Sequence, residues 1–193
     1  MAVLHYGRRE IRAKVAYFGP AGAGKAANLR ALHDALPMDR RGAVVEASPD
    51  AERSLRYWRL PILGEPETGW AVRFEAATIP GHAVFSSTRR NLLSDIDGVV
   101  FVADASAARQ EANRAAWLEL RGHLVAFGYK PEAMPLVLQV NHADVHDAVP
   151  LEVVVACLED VRPPAVLAVA KDGPGVVETW RAIESLVRLG WTR

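Results

Sequence analysis

The chain has 193 residues, of which 50% are hydrophobic and 24% charged, and its 23 basic residues balance 23 acidic ones. This length and composition predict a single globular domain over residues 1–193. A formal net charge of zero gives no electrostatic signature for nucleic acid, so we expect no nucleic-acid partner. No apolar run is long enough to span a bilayer and no lipidation motif is visible, so we expect no direct membrane anchor.

Cys157 is the only cysteine, so no disulfide can form within the chain and a reducing compartment is expected. It lies in the apolar run Val153–Leu158, which is typical of a small core residue rather than a reactive thiol. Residues 1–10 contain no apolar segment of the kind that a signal peptide has. We therefore expect a cytoplasmic protein.

The first half of the chain predicts a strand, a helix and then a hairpin. Alternating apolar residues from Ile11 to Tyr17 predict a strand that runs into Gly19. A helix begins after Lys25, carries a stripe of leucines and ends at Pro37. A short strand and a hairpin at the sheet edge are predicted next, and a turn-rich connector joins the two arms of the hairpin. These segments are residues 43–45, 55–60 and 71–78, with the connector at 64–69.

The second half alternates buried strands with helices. The run Gly98–Asp104 is apolar up to its last residue, as expected of a parallel strand covered on both faces. A long helical pattern follows, includes Leu118 and ends at Gly128. The remaining predicted elements are a strand at 135–140, a helix at 151–158, a strand at 165–169 and a helix at 176–189. This alternation predicts an α/β fold of three layers, a mostly parallel sheet with helices on both faces.

Four loops stand directly after predicted strands, at Gly19, Thr78, Asn141 and Ala170. In sheets of this class, ligands bind outside the carboxyl ends of the strands. We therefore expect the four loops to gather at one edge of the sheet, where they would form a nucleotide site.

The first of these loops has the sequence of a phosphate-binding P-loop. Gly19, Gly24 and Lys25 stand at the spacing Gly-x-x-x-x-Gly-Lys. Glycines let the backbone wrap closely around a phosphate, the following helix adds the positive end of its dipole, and Lys25 adds a full charge. The residues expected to contact the nucleotide here are Gly19, Gly22, Ala23, Gly24, Lys25, Ala26 and Ala27. Ala26 stands where the motif has a Ser or Thr that binds Mg²⁺, so Mg²⁺ binding is expected to be weak or absent.

The same loop also fits a dinucleotide-binding fingerprint. Gly22–Ala27 matches Gly-x-Gly-x-x-Gly/Ala, and Glu46 follows about 20 residues later, where an acid that binds the ribose would lie. A dinucleotide-binding enzyme is therefore an alternative. A dinucleotide-binding turn places its first glycine directly at the strand end. Here Gly19 ends the strand and other residues stand before Gly22, which favours the P-loop.

Taken in order, these loops resemble the nucleotide-binding motifs of Ras-like small GTPases. The motifs are Gly19 to Lys25, Thr78-Ile79-Pro80-Gly81, Asn141-x-x-Asp144 and Ala168-Val169-Ala170-Lys171. Other stretches are similar to the bacterial MglA branch, namely Tyr17-Phe18-Gly19-Pro20, Asn28-Leu29, Asp97 to Asp104 and Gly175 to Thr179. The resemblance runs from about Arg9 to Leu189 and implies a P-loop G-domain that binds GDP or GTP.

For the guanine base, the resemblance implies that the carboxylate of Asp144 accepts hydrogen bonds from the N1 and N2 donors. It also implies that Asn141 braces this loop and that Ala170 and Lys171 belong to the last nucleotide-binding motif. Where the family has a lysine between the two loop residues, this chain has His142. A histidine, unlike a lysine, is mostly neutral at about pH 7, so guanine affinity is expected to fall without vanishing.

For catalysis, the resemblance implies that Arg53 is an arginine finger supplied in cis, which stabilises the charge of phosphoryl transfer. Ser54 matches the switch hydroxyl that can reach Mg²⁺, and Gly81 matches the glycine whose N–H senses the terminal phosphate. His82 stands where the family has the glutamine that orients the attacking water. GTP hydrolysis is therefore expected to be slow or lost.

Three hypotheses for the function follow. The first is a regulatory switch of the cell-polarity or gliding-motility type, which the resemblance implies would dock a roadblock-type partner like MglB. The second is a pseudo-GTPase scaffold that binds no nucleotide, because Ala26, His82 and His142 all depart from the family pattern. The third is the dinucleotide-binding enzyme.

Overall fold

The computed structural model describes residues 2–47, 57–78, 93–158 and 161–191, and a mostly parallel sheet lies at its centre. The strands are Val3–His5 (β1), Glu10–Phe18 (β2), Val45–Ala47 (β3), Tyr57–Glu67 (β4), Trp70–Thr78 (β5), Gly98–Asp104 (β6), Leu136–Asn141 (β7) and Ala165–Leu167 (β8). Within the described residues their order is β3-β4-β5-β2-β6-β7-β8, with β1 paired to β2 outside that path. Strands β2, β5, β6, β7 and β8 run parallel, whereas β1, β3 and β4 pair antiparallel.

Helices cover both faces of the sheet. They are Lys25–Ala35 (α1), Gln110–Ala126 (α2), Leu151–Ala156 (α3) and Val176–Leu189 (α4). On one face, α1 and α4 bury Leu29 and Trp180 in one apolar core. On the other face, α2 and α3 bury Trp117 and Val154 in a second core. The predicted three-layer α/β fold is therefore confirmed. None of the helices in the described ranges is both long enough and apolar enough to cross a bilayer.

Strand β2 shows how the sheet supplies both cores. Val15 and Tyr17 lie in the core under α1 and α4, whereas Ala16 and Phe18 lie in the core under α2 and α3. Successive side chains of a strand point to opposite faces, so one apolar segment serves two layers. Strands β6 and β7 are buried at every position, as expected of central strands covered on both sides.

The amino-terminal half departs from the predicted elements at two places. Val3–His5 forms a strand that the sequence pattern does not indicate. Strand β4 runs through most of the predicted connector at 64–69 and turns only at Thr68 and Gly69. The proline and glycine residues that suggest a turn are accommodated because the register shifts between Gly64 and Glu67. Such irregular pairing is tolerated here because residues 64–67 lie beyond the part of β4 that pairs with β3, so this end of β4 pairs with β5 on one side.

The predicted helix after β6 is confirmed, but its buried stripe is shifted. Leu118 is 46% exposed, whereas the neighbouring Trp117 is fully buried. The buried positions of α2 also include Leu120 and Leu124, so the apolar stripe follows the spacing of three to four residues that helices show. The predicted stripe, which ran through Leu118, Leu120 and Leu124, was therefore wrong at Leu118.

Candidate functional site

The carboxyl ends of the parallel strands bring three of the four predicted loops, those after β2, β7 and β8, to one edge of the sheet, and the loop after Thr78 lies outside the described residues. The loop after β2 lies beside β6 and β7, and the loop after β7 contacts the loop after β8. Backbone hydrogen bonds join the segments at the ends of β6, β7 and β8: Ala105 N donates to Asn141 O over 2.9 Å, and Ala143 N donates to Ala168 O over 3.1 Å. The loops therefore share one framework, as the strand order requires.

The loop after β2 is shaped by glycines at its two ends. Gly24 has φ +87°, and a Cβ on it would overlap the side-chain amide of Asn141. A Cβ on Gly19 would likewise overlap the carbonyl of Val102 on β6. Both ends of the loop are therefore closely packed. Helix α1 begins at Lys25 with Gly24 as its N-cap, and no side chain of the described residues caps that terminus. Gly22 and Ala23 lie between, and Ala26 and Ala27 lie in the first turn of α1.

Lys25 is buried and already held by the loop itself. Its side-chain ammonium donates to the carbonyl of Gly19 over 2.9 Å and to that of Pro20 over 2.6 Å. Lys25 is only 7% exposed. A lysine is rarely so buried unless its ammonium has partners, as it has here. These contacts fix a positive charge inside the loop, at the amino end of α1, where an anion is favoured.

Asn141 joins the loop after β2 to the loop after β8. Its Nδ2 donates to the carbonyl of Ala23 over 2.9 Å, and its Oδ1 accepts from the backbone N–H of Ala170 over 2.8 Å. The residue is 1% exposed, so both bonds lie away from water and a lost partner would leave a buried polar group unsatisfied. The predicted bracing role of Asn141 therefore has a direct geometric basis.

Asp144 and Lys171 form an ion pair on the exposed side of these two loops. Lys171 Nζ lies 2.8 Å from Asp144 Oδ2. This contact lowers the pKa of Asp144 and raises the pKa of Lys171. The carboxylate is thus kept ionised as a hydrogen-bond acceptor, next to the loop that Asn141 ties to the P-loop.

His142 lies over the end of the P-loop and contacts a buried carboxylate. It adopts a left-handed backbone conformation with φ +61°, and its Nδ1 lies 3.1 Å from Asp104 Oδ2. Burial alone would raise the pKa of Asp104, but hydrogen bonds from the backbone and hydroxyl of Ser106, together with His142, hold this pKa below its usual value. Asp104 therefore anchors His142 against the P-loop.

Arg109 also reaches the P-loop, and sequence reasoning missed it. Its guanidinium donates to the carbonyl of Ala21, and its Nε lies 3.7 Å from Asp104 Oδ2. The available signal was a carboxylate that closes an otherwise apolar strand, with an arginine opening the next helix. Neither residue belongs to one of the recognised loop motifs, so their proximity emerged only from the structure.

Four predicted site residues lie outside the described residues: Arg53, Ser54, Gly81 and His82. Their catalytic and metal-binding roles stay predictions. Thr78, at the end of β5, is described; it is buried and its hydroxyl donates to the carbonyl of Tyr17 over 2.8 Å. That hydroxyl ties the end of β5 to β2.

The described part of the site has the features that suit a phosphate group. Gly24 leaves no room for a side chain, and Lys25 and the uncapped helix end supply positive charge. By contrast, Ala26 offers a methyl group where Mg²⁺ requires an oxygen ligand. The described residues contain no group of three or more His, Cys, Asp or Glu side chains that could hold a metal ion.

The dinucleotide alternative does not fit the strand order. Glu46 lies in β3, where it pairs with Trp58 of β4. Strands β4 and β5 separate β3 from β2, whereas a ribose-binding acid would follow the strand next to the glycine-rich loop. The overlap of Gly22–Ala27 with that fingerprint is therefore a coincidence of spacing.

A cavity of about 770 Å³ lies elsewhere in the molecule. It is lined by residues at the amino ends of the strands, among them Ile11 and Asp97, and by Trp191 after α4. The residues with phosphate-binding character stand at the opposite ends of the strands. The chemistry of the loops, and not the size of this cavity, therefore locates the candidate site.

Comparison with known proteins supports the same assignment. No protein-family model matches the chain. The chain is 36% identical over 188 residues to the mutual gliding-motility protein MglA of Myxococcus xanthus (strain DK1622), an alignment that covers 97% of this chain and 96% of that protein. A three-layer α/β fold, a P-loop before α1 and an identity of this extent together show that the chain belongs to the MglA family of Ras-like small GTPases.

Proposed function

We propose that the protein is a guanine-nucleotide switch that binds GDP and GTP and hydrolyses GTP slowly. The observation that carries the proposal is the side chain of Asn141, which bonds both the P-loop at Ala23 and the last loop at Ala170. Through these bonds, the elements suited to phosphate and to guanine are held in one rigid arrangement.

Each end of the nucleotide has a matching group. Lys25 and the amino end of α1 supply positive charge for the phosphates. Asp144, ionised beside Lys171, supplies acceptors for the two N–H donors on the guanine edge. Purine bases that lack this pair of donors would give the carboxylate no hydrogen bond beyond the one from Lys171, which is the physical basis for selecting guanine.

Slow hydrolysis follows from two side chains. Ala26 lacks the hydroxyl that would bind Mg²⁺, and this cation neutralises the charge that develops during phosphoryl transfer. His82 replaces the amide that would orient water. Arg53 keeps the charge of an arginine finger, so we infer that turnover is reduced and that binding is retained.

By similarity to the M. xanthus protein, whose name refers to gliding motility, we propose that the switch acts in motility or polarity. We further propose that it docks a roadblock-type regulatory partner of the MglB kind. The support for this partner is membership of the MglA family.

The acceptor role of Asp144 gives the first test. Asp144→Asn should weaken GDP binding by roughly tenfold or more, because an amide nitrogen then faces guanine donors. The same variant should gain affinity for xanthosine diphosphate, whose ring offers a carbonyl at position 2. The measurement is a titration with fluorescent GDP, followed by competition with the unlabelled nucleotides.

The matched control is Asp147→Asn, which removes a carboxylate three residues further along the chain and should leave both affinities unchanged. If the wild-type protein binds neither GDP nor GTP, with or without Mg²⁺, the pseudo-GTPase scaffold replaces the switch. Ala26 favours that alternative because its side chain supplies no metal ligand.

A further inference from the structure

Arg109 places a permanent positive charge at the rim of the P-loop. It ends the short 3₁₀ turn Ala107–Arg109 that precedes α2, and its guanidinium donates to the carbonyl of Ala21. Its Nε lies 3.7 Å from the buried carboxylate of Asp104. The side chain is 38% exposed, so it is anchored at its inner edge and open to solvent at its outer edge.

The guanidinium faces the middle of the loop. Arg109 Nη2 lies 3.9 Å from the point where a Cβ on Gly22 would stand, and apart from the residues on either side of Gly22 no other atom of the described residues comes within 4 Å of that point. Ala21 and Gly22 form the part of the loop between Gly19 and Lys25 that curves around a phosphate in this motif. The charge therefore lies on the same arc of backbone as the phosphate cradle.

An arginine in this position has donors to spare. A guanidinium carries five N–H donors in a planar fork that matches phosphate oxygens. The structure gives its Nη2 one carbonyl and its Nε one carboxylate. The other N–H groups of the fork lie on the partly exposed side chain and are the donors that an anion at the loop could use.

We propose that Arg109 contacts the β-phosphate of the bound nucleotide and so supplies part of the positive charge that Mg²⁺ would supply if position 26 carried a hydroxyl. This inference rests on the proposed function. It also accounts for two observations together: the missing hydroxyl at Ala26, and an arginine that bonds the P-loop from another element of the fold.

The test compares ligands that differ by one phosphate. The variants are Arg109→Gln, Arg109→Lys and the control Arg114→Gln, which removes an exposed arginine from the helix that follows, α2. Affinities for GMP, GDP and a non-hydrolysable GTP analogue are measured by competition against fluorescent GDP, with EDTA present. Melting temperatures of the unliganded proteins report on folding.

Arg109→Gln should weaken GDP and the GTP analogue on the order of tenfold, as expected for a lost charge-assisted hydrogen bond, and GMP by less than about threefold. Arg109→Lys should recover part of the loss, because it keeps the charge without the fork. The difference between wild type and Arg109→Gln should shrink as salt is added, since screening weakens exposed charges. Arg114→Gln should match the wild type.

Two results would overturn the inference while leaving the proposed function intact. One is unchanged GDP affinity in Arg109→Gln. The other is an equal loss for GMP, GDP and the GTP analogue, which would make Arg109 a brace for the loop and nothing more. A wild-type protein that binds no guanine nucleotide would overturn the proposed function itself, and this inference with it.

Discussion

At the scale of a single residue, we expect Ala26 to weaken the response of the proposed site to divalent cations. Ala26→Thr returns an oxygen to the first turn of α1, where Mg²⁺ requires a ligand. In that variant, Mg²⁺ should slow GDP dissociation on the order of tenfold, whereas the wild-type rate should change little. The measurement is the release of fluorescent GDP with Mg²⁺ or with EDTA. The control Ala27→Thr adds the same hydroxyl one position later, and an equally strong Mg²⁺ effect in the wild type would contradict the prediction.

Single residues also show what local spacing can and cannot place. Lys25 and Asn141 were singled out because each stands at a fixed position within a motif, and the structure places Lys25 at the start of α1 and Asn141 at the end of β7. Asp104 and Arg109 were not singled out. Their contacts with the P-loop depend on the pairing of β2 with β6, which no local motif encodes.

At the scale of the elements, β2 and β5 are joined near their amino ends by the carboxylate of Glu10, which two arginines share. Glu10 Oε1 lies 2.5 Å from Arg12 Nε, and Glu10 Oε2 lies 2.6 Å from Arg73 Nε. Hydrogen bonds from Arg12 and then Arg73 lower the pKa of Glu10 from 4.5 to about 2. The folded state therefore binds this proton less readily than the unfolded chain does, so the contribution to stability is complete above pH 4.5 and is lost as the pH falls towards about 2.

Glu10→Gln should remove this dependence. Its free energy of unfolding, measured with urea at intervals from about pH 6 to pH 2.5, should fall less steeply below pH 4.5 than that of the wild type. Glu132→Gln, which alters an exposed side chain, is the control and should follow the wild-type curve. Parallel curves for Glu10→Gln and the wild type would show that the pair does not act as a stabilising link.

The elements themselves were predictable where one physical signal dominates. Sequence reasoning predicted β6 and β7 correctly because burial on both faces of a strand leaves a continuous apolar run. It predicted the helix Val176–Leu189 correctly because burial of one face of a helix leaves a periodic apolar stripe. Strand β1 was missed because two of its three side chains, Val3 and Leu4, are largely exposed. Its position depends on pairing with β2, which is a property of the assembled sheet.

At the scale of the whole molecule, nucleotide binding should appear as thermal stability. A ligand that binds only the folded state at about 100 times its Kd adds about 2.7 kcal/mol, which corresponds to several degrees in Tm for a chain of this size. GDP should therefore raise the Tm of the wild type, and ADP should not. The measurement is a thermal melt followed by circular dichroism.

Gly24→Ala should abolish the GDP shift, because its Cβ overlaps the amide of Asn141 and the residue has φ +87°. Gly122→Ala, in α2 where the added methyl meets open space, should keep the shift and so serves as the control. A GDP shift that survives in Gly24→Ala would show that the nucleotide binds at another place in the molecule.

The buried ammonium of Lys25 has a consequence for how quickly and tightly an anion is captured. Its carbonyl partners at Gly19 and Pro20 immobilise the long side chain in the folded protein, so the loss of rotamer freedom, worth about 2 kcal/mol for a lysine, falls on folding and not on association. An incoming diphosphate meets a charge already in place. If that charge were replaced by an uncharged side chain, the same carbonyl oxygens would repel the ligand, so the penalty would exceed the loss of one attraction.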